Sequence, residues 1–366
     1  MPEGLQPATR VDPLLAELWD AGGSDLLLGV GLPPQLRVNG SLSAVPDGLA
    51  LTAEDTKVIL DELTDPGVSV AVLAGTEHDF SFSWRDRARI RANAFCQSGV
   101  ISVALRMIPR KIPTMAELRL PAILGDFTRI HQGLVLVTGP TGSGKSTTLA
   151  AMIGEINAHR PCHIITIEDP VEYVHDHRLA MVSQREVGTD TASFRHALRS
   201  ALREDPDVLL VGEMRDLESI RFALTIAKTG HLVFASLHTN DTAQALGRIV
   251  DVFPAEQQDQ IRIQLAAAIT GVVYQRLVPA IGGGMVAAYE VMVADSAVRN
   301  LIKEGKTHQL RNSLLTGQRA GMVTIEQSLS ALIREGRITP ADAISRSLYP
   351  REIEIPTRSA TTRLSA

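Results

Sequence analysis

The segment that most constrains this chain is residues 139–146, which read Gly-Pro-Thr-Gly-Ser-Gly-Lys-Ser. It fits the pattern G-x-x-x-x-G-K-[ST], in which a glycine-rich turn joins a buried strand to a helix. The apolar run 133–137 precedes the segment, and the helix-favouring run 147–153 follows it. These flanks give the motif the strand–turn–helix context that it requires, and they predict an α/β fold around it.

Such a turn has the chemistry of a phosphate site. Glycines let the backbone N–H groups face an anion, and the following helix N-terminus adds unpaired donors and a positive dipole end. Lys145 is predicted to reach the β- and γ-phosphates, and the Ser146 hydroxyl to ligate Mg²⁺. The predicted contacts of a nucleoside triphosphate are Gly139, Pro140, Thr141, Gly142, Ser143, Gly144, Lys145, Ser146 and Thr147. A turn without a ligand is the alternative, which the flanking elements disfavour.

Composition excludes several classes of protein. The length of 366 residues predicts roughly two or three domains, and 45% hydrophobic with 21% charged residues is ordinary for packed domains. The net charge of −5 gives no global basic field for nucleic acid or acidic lipid. Cys96 and Cys162 lie far apart and predict neither a zinc site nor a disulfide, which suits a reducing cytosol. Without a signal peptide or an apolar run of about 18 residues, membrane association is expected only through a partner.

The first 109 residues predict a small α+β domain. A helix is expected over 12–19 with Asp12 as N-cap, and another over 53–63 capped by Thr52. Short strands are expected at 25–30, 35–38, 89–95 and 101–107. Prolines on both sides of basic residues then favour an extended linker over 110–114.

Strands and helices alternate over 115–296, which predicts a largely parallel sheet covered by helices. The strand candidates are 134–138, 163–167, 208–211 and 232–236. A C-terminal helical region is expected over 297–350, with short helices at 297–304, 307–316, 324–335 and 340–347. The polar residues 351–366 are expected to form a flexible tail.

Two of these strands run into carboxylates. Glu168 follows one strand, at the end where α/β sheets bind ligands, so it is placed to orient water or to hold Mg²⁺ through water; a helix-capping role is the alternative. The next strand ends at Gly212, where phosphate-loop enzymes commonly place a magnesium-binding aspartate. We predict that Glu213, one residue further on, is a base or water-orienting group rather than a direct metal ligand. A surface glutamate is the alternative.

Histidines and arginines supply further candidates. His231 precedes the strand 232–236 and His238 follows it, so either a γ-phosphate contact or a purely structural role fits them. Arginines recur at every second position over 85–91, so in a strand all four would lie on one face. Like charges on one face repel each other unless an anion lies opposite. These arginines predict a phosphate contact on a neighbouring subunit, or else a solvated sheet face or a turn at Asp86. Arginines at i, i+4 and i+8 from Arg195 face either a subunit interface or water.

Taken together, these motifs resemble the type II/type IV secretion ATPase superfamily, and most closely the PilT-type type IV pilus retraction ATPases. The Walker A motif of that family corresponds to 139–146 and its aspartate box to 167–174. Its Walker B segment corresponds to 202–216 and its histidine box to 229–240. The resemblance extends over about residues 24–344, nearly the whole chain.

A string in the C-terminal region carries the resemblance to retraction ATPases. Residues 297–304, Ala-Val-Arg-Asn-Leu-Ile-Lys-Glu, are similar to their AIRNLIRE string. Packing of the apolar stripe does not require Arg299 and Asn300, so these residues are expected to couple the motor to its partner. Assembly ATPases typically carry a longer N-terminal region and a four-cysteine zinc segment, and this chain has neither.

The N-terminal domain departs from the pattern of these relatives at two places. They typically read Ser-Asp-Ile-His-Leu where this chain has Ser-Asp-Leu-Leu-Leu at 24–28, and they tend to carry arginines where Cys96 and Ser98 stand. The match at Arg89 and Arg91 is retained, so a nucleotide contact is assigned to Arg91.

The resemblance implies a RecA-like phosphate-loop ATPase domain with a small N-terminal α+β (PAS-like) domain and C-terminal helices. It implies a cytoplasmic homo-hexamer that binds ATP and Mg²⁺ between subunits and acts on an inner-membrane platform protein, and through it on pilin, to retract the pilus. Glu213 would activate water with support from Glu168, His231 would contact the nucleotide, and His238 would couple nucleotide state to motion.

Three alternatives stay open at this point. The first is an assembly or secretion motor of the same superfamily. The second is a nucleic-acid translocase, against which the net charge of −5 argues, so no direct nucleic-acid contact is expected. The third is a ring that binds nucleotide without turnover, against which Lys145 and Glu213 argue.

Overall fold

The structure, a computed structural model, describes residues 9–38, 40–214 and 216–356. Its contacts form two compact units, one running to Ile112 and including Glu172–Val174, the other comprising the remainder from Pro113 onward. This division falls within the predicted linker 110–114. Positions 357–366 of the predicted tail, and Arg215 of the Walker B segment, lie outside the described residues.

The first unit is an antiparallel sheet with helices on its apolar face. Its strands are β1 Asp25–Leu28, β2 Gln35–Val38, β3 Ser41–Ala44, β4 His78–Trp84, β5 Ala88–Gln97 and β6 Val100–Pro109. They lie in the order β3-β2-β1-β6-β5-β4. Its helices are α1 Val11–Asp20, α2 Ala53–Leu63 and α3 Val68–Leu73. Burial alternates along β5, and its inward residues pack with Leu15 of α1 and Leu60 of α2 in one core.

Two predictions for this unit differ from the structure: the cap at Asp12 and the four arginines on one strand face. Helix α2 has the predicted Thr52 cap, but α1 does not use Asp12, whose carboxylate accepts hydrogen bonds from Trp84 Nε1 at 2.7 Å and Arg85 at 2.6 Å. The bond from Arg85 lowers the pKa of Asp12. Since β4 ends at Trp84 and β5 begins at Ala88, Arg85 and Arg87 lie in the hairpin turn. Of the two interpretations, four arginines on one strand face is wrong and the turn at Asp86 is confirmed, so that only Arg89 and Arg91 share a strand face.

The second unit is built on a seven-stranded sheet. Its strands are β7 Gly133–Thr138, β8 His163–Glu168, β9 Met181–Glu186, β10 Val208–Val211, β11 Leu232–Leu237, β12 Ile269–Pro279 and β13 Met285–Val293. Its helices are α4 Ala122–Arg129, α5 Lys145–His159, α6 Phe194–Ala201, α7 Leu217–Lys228, α8 Thr242–Asp251, α9 Ala255–Ala268, α10 Ser296–Lys303, α11 Leu310–Thr316, α12 Ile325–Arg334 and α13 Pro340–Arg346. Short 3₁₀ turns lie at Thr307–Gln309, Gln318–Ala320 and Pro350–Glu352.

The strand order is β13-β12-β7-β11-β10-β8-β9, in which every neighbouring pair from β12 to β9 is parallel. Strand β13 closes the other edge antiparallel to β12. On β7, Leu134 and Leu136 face one hydrophobic cluster while Val135 and Val137 face another, so the strand is apolar on both sides. The α/β fold class is confirmed, and the four predicted strands occupy the centre of the sheet. The sequence did not reveal β9, β12 or β13.

The predicted C-terminal helices are present as α10 to α13, with a 3₁₀ turn opening the second of them. Residues at the start of the predicted flexible tail are packed: Ile353 is buried beside α12, and the Glu354 N–H donates to Ser330 Oγ at 2.9 Å. In the described part of the chain, no helix combines the length and the apolar character that crossing a membrane requires.

His175 makes the stability of the second unit depend on pH. The residue is 8% exposed, and burial, with the nearby charge of Arg178, lowers its pKa to about 4. Because the folded-state pKa lies below the ordinary value of about 6.5, folding favours the neutral form of His175. The stability that depends on this neutral ring is complete above about pH 6.5. It is lost as the pH falls towards about 4.

We therefore expect the free energy of unfolding to fall by on the order of 2 kcal/mol through His175 between about pH 7 and about pH 5. Urea unfolding of the wild type and of His175→Gln at both pH values measures this difference. The variant should lose that part of the pH dependence, whereas His131→Gln, at an exposed histidine, should retain it. An equal pH dependence in all three proteins would contradict the assignment.

Candidate nucleotide-binding site

The glycine-rich segment forms the turn between β7 and α5, at the carboxyl edge of the sheet. Gly139, Gly142 and Gly144 have φ values of 150°, 74° and 86°, which side chains with a Cβ rarely adopt. Gly144 is the N-cap of α5, so Lys145 and the two predicted contacts that follow it, Ser146 and Thr147, form the first helical turn. The turn thus presents backbone donors and a helix N-terminus on one side, as an anion site requires.

The Lys145 side chain forms hydrogen bonds with the backbone of the turn. Its ammonium group is part of a side chain only 8% exposed, and it donates to the carbonyl oxygens of Gly139 and Pro140, both at 2.9 Å. The same Nζ lies 3.5 Å from Nδ1 of His238. Pro140, Thr141 and Gly142 form the exposed part of the turn. The cation is therefore held at the centre of the loop, where a phosphate would meet it.

His238 lies between this lysine and Glu213. It follows β11, and its Nε2 lies 3.5 Å from Glu213 Oε1. Both side chains remain partly open to solvent, at 37% and 23% exposure. The structure thus joins Lys145, His238 and Glu213 in one connected group, with a titratable ring between a cation and a carboxylate.

Neighbouring strands fix the position of Glu213. The hydroxyl of Ser236 on β11 donates to the carbonyl of Gly212, and the Met214 N–H donates to Ser236 O at 3.1 Å. Gly212 itself donates to Ile167 O at 2.8 Å, and a Cβ at this position would lie 3.1 Å from that oxygen. The glycine after β10 therefore permits close contact with β8, and Glu213 is held by backbone on both sides.

Glu168 lies at the same edge of the sheet, as predicted. It ends β8, and its Oε1 accepts hydrogen bonds from Thr166 Oγ1 at 2.6 Å and Gln184 Nε2 at 3.3 Å. Since β8 and β10 run parallel in register, Glu168 is next to Gly212. The site therefore contains two carboxylates, and the hydrogen bonds that Glu168 accepts fix its orientation.

His231 lies at the opposite end of the parallel strands, before the amino end of β11. Strands β7 and β11 are parallel and pair Gly133 with Leu232 and Thr138 with Leu237. A six-residue strand spans about 20 Å, so His231 is separated by that length from the phosphate loop of its own chain. Its ring lies 3.2 Å from Ile226 O and serves the turn before β11. The prediction that His231 contacts the nucleotide is wrong for the loop of its own chain, because a single strand has only one end at the site.

The remaining predicted residues lie elsewhere. Arg91 is on β5 of the first unit, half-buried and in register with Ser81 and Arg106, and its nucleotide contact stays a prediction. Arg195 forms an ion pair with Glu218 at 2.6 Å. These positions alone assign neither arginine a role in catalysis.

Arg299 has a structural role that the sequence did not reveal. Its guanidinium donates to Ala294 O at 2.9 Å, to Ala267 O at 3.2 Å and to Ala266 O. The last two carbonyls belong to the end of α9, where helices leave backbone acceptors unpaired. The interpretation that packing does not require Arg299 is therefore wrong. Asn300 is exposed and donates to Glu304 Oε1 at 2.8 Å.

Two polar residues beside the loop were also missed. Thr138 Oγ1 accepts the Thr239 N–H at 3.1 Å and lies 2.7 Å from Thr239 Oγ1, both hydroxyls being buried. This pair ties the end of β7 to the segment that carries His238. The available signal was a polar residue at the end of an otherwise apolar strand, since a buried hydroxyl requires a partner.

Comparisons with known proteins show the family to which this chain is related. A family profile described as type II/IV secretion system protein matches residues 102–336. The type IV pilus retraction ATPase PilT of Pseudomonas aeruginosa is 45% identical over 340 residues, covering 93% of this chain and 98% of that protein. A twitching motility protein of Neisseria gonorrhoeae is 45% identical over 317 residues, covering 86% and 84%. The crystal structure of the pilus retraction motor PilT with bound ADP is similar at a TM-score of 0.85 and 45% identity, covering 94% of this chain and 99% of that one.

Two glycines of this region provide a matched test of the loop geometry. A Cβ on Gly139 would overlap the Gln275 carbonyl oxygen and lie 2.6 Å from Ser143 Oγ, whereas one on Gly154, inside α5, would meet nothing within 4 Å. Gly139→Ala should therefore destabilise the protein by about 1–3 kcal/mol, and Gly154→Ala should stabilise it by roughly 0.5–1 kcal/mol. Urea unfolding of both variants measures the difference. Equal unfolding free energies would contradict the described loop.

Proposed function

The chain belongs to the type II/IV secretion system protein family, and from that membership we propose that it is a ring-forming ATPase that drives retraction of type IV pili. The observation that carries the proposal is the connected group of Lys145, His238 and Glu213 beside the phosphate loop. It supplies a phosphate-binding cation and a carboxylate at one site. The identity of 45% with a pilus retraction ATPase along nearly the whole chain supports the biological role.

The loop residues fit a nucleotide phosphate. Gly139, Gly142 and Gly144 have positive φ and put no side chain between their backbone and a ligand. Ser143 Oγ is buried without a hydrogen-bond partner among the described residues. Loop N–H groups and Lys145 would hold the β- and γ-phosphates of ATP, and the Ser146 hydroxyl would hold Mg²⁺. The metal, when bound, neutralises the charge that develops on the phosphates.

Glu213 is assigned as the base. In the hydrolysis of ATP a water oxygen attacks the γ-phosphorus, its proton passes to the Glu213 carboxylate, and the β–γ bridging bond breaks to give ADP and phosphate. Glu168, held by Thr166 and Gln184, would orient that water. A positioned base contributes about 10²–10⁴-fold to the rate, and this is the effect assigned to Glu213.

His238 is assigned as the coupling residue. It lies 3.5 Å from both Lys145 and Glu213, so a phosphate drawn to the lysine would change the charge that the ring faces. Arg91 is proposed to contact the phosphate across a subunit boundary in a homo-hexamer. Nucleotide-dependent motion of the two units would then perform work on the pilus machinery.

The proposed partner is a platform protein of the inner membrane, which would pass the motion to pilin. We place the chain in the cytoplasm, at the inner face of that membrane, because its relatives include a pilus retraction ATPase and a twitching motility protein. The net charge of −5 does not favour nucleic acid as a partner.

Separate substitutions distinguish binding from hydrolysis. Lys145→Ala should abolish ATP binding because it removes the cation that faces the phosphates. Glu213→Gln should bind ATP but hydrolyse it at least about 10²-fold more slowly, whereas Glu155→Gln, at a partly exposed position on α5, should act as wild type. ATP titration and steady-state phosphate release measure both effects. Near-normal turnover of Glu213→Gln would transfer the role of base to Glu168.

The exposed end of α10 provides a test of coupling. Changing Asn300 and Lys303 together to alanine should spare ATP hydrolysis and abolish retraction, since both side chains are exposed while Arg299 stays in place. The matched control is Gln318→Ala with Arg319→Ala, an exposed amide and cation elsewhere in the C-terminal region. Twitching of a deletion strain that expresses each variant is the measurement. Normal twitching with the first pair would leave α10 with a packing role only.

The deletion strain itself tests the direction of the motor. Loss of a retraction motor leaves filaments that assemble but do not withdraw, so electron microscopy should show abundant, immobile pili. A strain without any filaments would identify an assembly motor instead.

A further inference from the structure

We propose that Gln275 is a positioning residue that holds the phosphate loop in its nucleotide-binding conformation. The inference rests on the proposed function, because it assigns a further residue to the site where ATP would bind. Gln275 lies on β12, the strand that pairs with β7 on the side away from β11. No motif in the sequence marks this position.

The side-chain amide of Gln275 bridges two parts of the nucleotide site. It is 3% exposed, its Nε2 donates to the backbone carbonyl of Ser143 at 2.7 Å, and its Oε1 accepts from Thr148 Oγ1 at 2.7 Å. A carbonyl oxygen can only accept, so the amide nitrogen must face Ser143 and the amide oxygen must face the Thr148 hydroxyl. The glutamine therefore connects the loop to the first turns of α5 through β12.

This contact sets the direction of a donor in the loop. In a planar trans peptide the C=O and the N–H point to opposite sides. Because the Ser143 carbonyl is drawn towards Gln275, the N–H of Gly144 points away from β12, to the open side of the turn. That N–H immediately precedes Lys145 and belongs to the set of donors that would face a phosphate.

Two loop glycines are required by the same residue. A Cβ at Gly139 would overlap the backbone oxygen of Gln275, and a Cβ at Gly144 would lie 2.8 Å from its Nε2. Backbone and side chain of Gln275 thus contact both ends of the turn. The first and last glycines of the motif are needed for this close approach as well as for their φ values.

Removing the amide would take from the Ser143 carbonyl its donor and from the Thr148 hydroxyl its acceptor on β12, both in a buried place. Thr148 is 1% exposed, so water does not readily replace the lost bond. The Ser143–Gly144 peptide would then rotate among several orientations. Nucleotide binding would have to order it again, which weakens affinity.

The decisive variant is Gln275→Met in the full chain, because methionine keeps the volume of the side chain and removes both hydrogen bonds. We expect Mg-ADP to bind about tenfold more weakly, the scale of one lost buried hydrogen bond. The KM for ATP should rise more than kcat falls. Hydrogen exchange of the free protein should accelerate at residues 143–146 and stay unchanged along β11.

The matched control is Tyr274→Phe, at the preceding position on β12. Its side chain is buried in a hydrophobic cluster with residues of α12, on the opposite face of the sheet. This variant should bind Mg-ADP as wild type and show wild-type exchange in the loop. A loss of affinity in both variants would indicate general damage to β12 and would overturn the specific role of Gln275.

Thr148→Val provides a second test if Gln275→Met does not fold. It removes the hydroxyl that orients the amide and should weaken Mg-ADP binding about threefold, within the range of a single hydrogen bond. The inference would be overturned if Gln275→Met bound Mg-ADP with the affinity of the wild type. If Gln275→Met does not fold, wild-type affinity of Thr148→Val would overturn it. Failure of the wild type to bind Mg-ADP would instead overturn the proposed function, so the two results are distinguishable.

Discussion

The parallel pairing of β7 with β11 is the constraint on which the rest of the site depends. It places the phosphate loop after Thr138 and the segment after Leu237 side by side at one edge of the sheet. Parallel strands leave their carboxyl ends together, so side chains from different parts of the chain meet there. The buried hydroxyl pair of Thr138 and Thr239 fixes this edge, and His238 reaches Lys145 only because of it. Strands β10 and β8 extend the same edge and bring Glu213 and Glu168 into reach.

Charge organisation follows from this geometry. Lys145 is buried and donates hydrogen bonds to two carbonyls of its own loop, which hold the cation in place. Glu213 remains partly exposed, as a base that must receive water requires. His238 contacts both, and it is the side chain through which a change at one can affect the other. The site therefore combines a fixed cation with a more accessible carboxylate.

The loop is held from both sides by residues outside its motif. Gln275 contacts it from β12, and Thr239 ties its strand from the side of β11. A glycine-rich turn has large conformational freedom, so neighbouring strands must supply the order that binding needs. Arg299 has a comparable role further away, where it satisfies carbonyls at the end of α9. In both places a polar side chain serves backbone groups that the local sequence leaves unpaired.

The sequence by itself determined the elements whose signals are local. The phosphate loop, the central strands β7, β8, β10 and β11, and the Thr52 cap follow from apolar runs, glycines and short-range hydrogen bonds. Only the tertiary structure decided which distant residues meet. It placed the Asp12 carboxylate against Trp84 and Arg85 instead of at the predicted cap, and it brought Gln275 to the loop from more than a hundred residues away. The physical reason is that these contacts depend on strand order and register, which arise from packing of the whole sheet and leave no periodic trace in the chain.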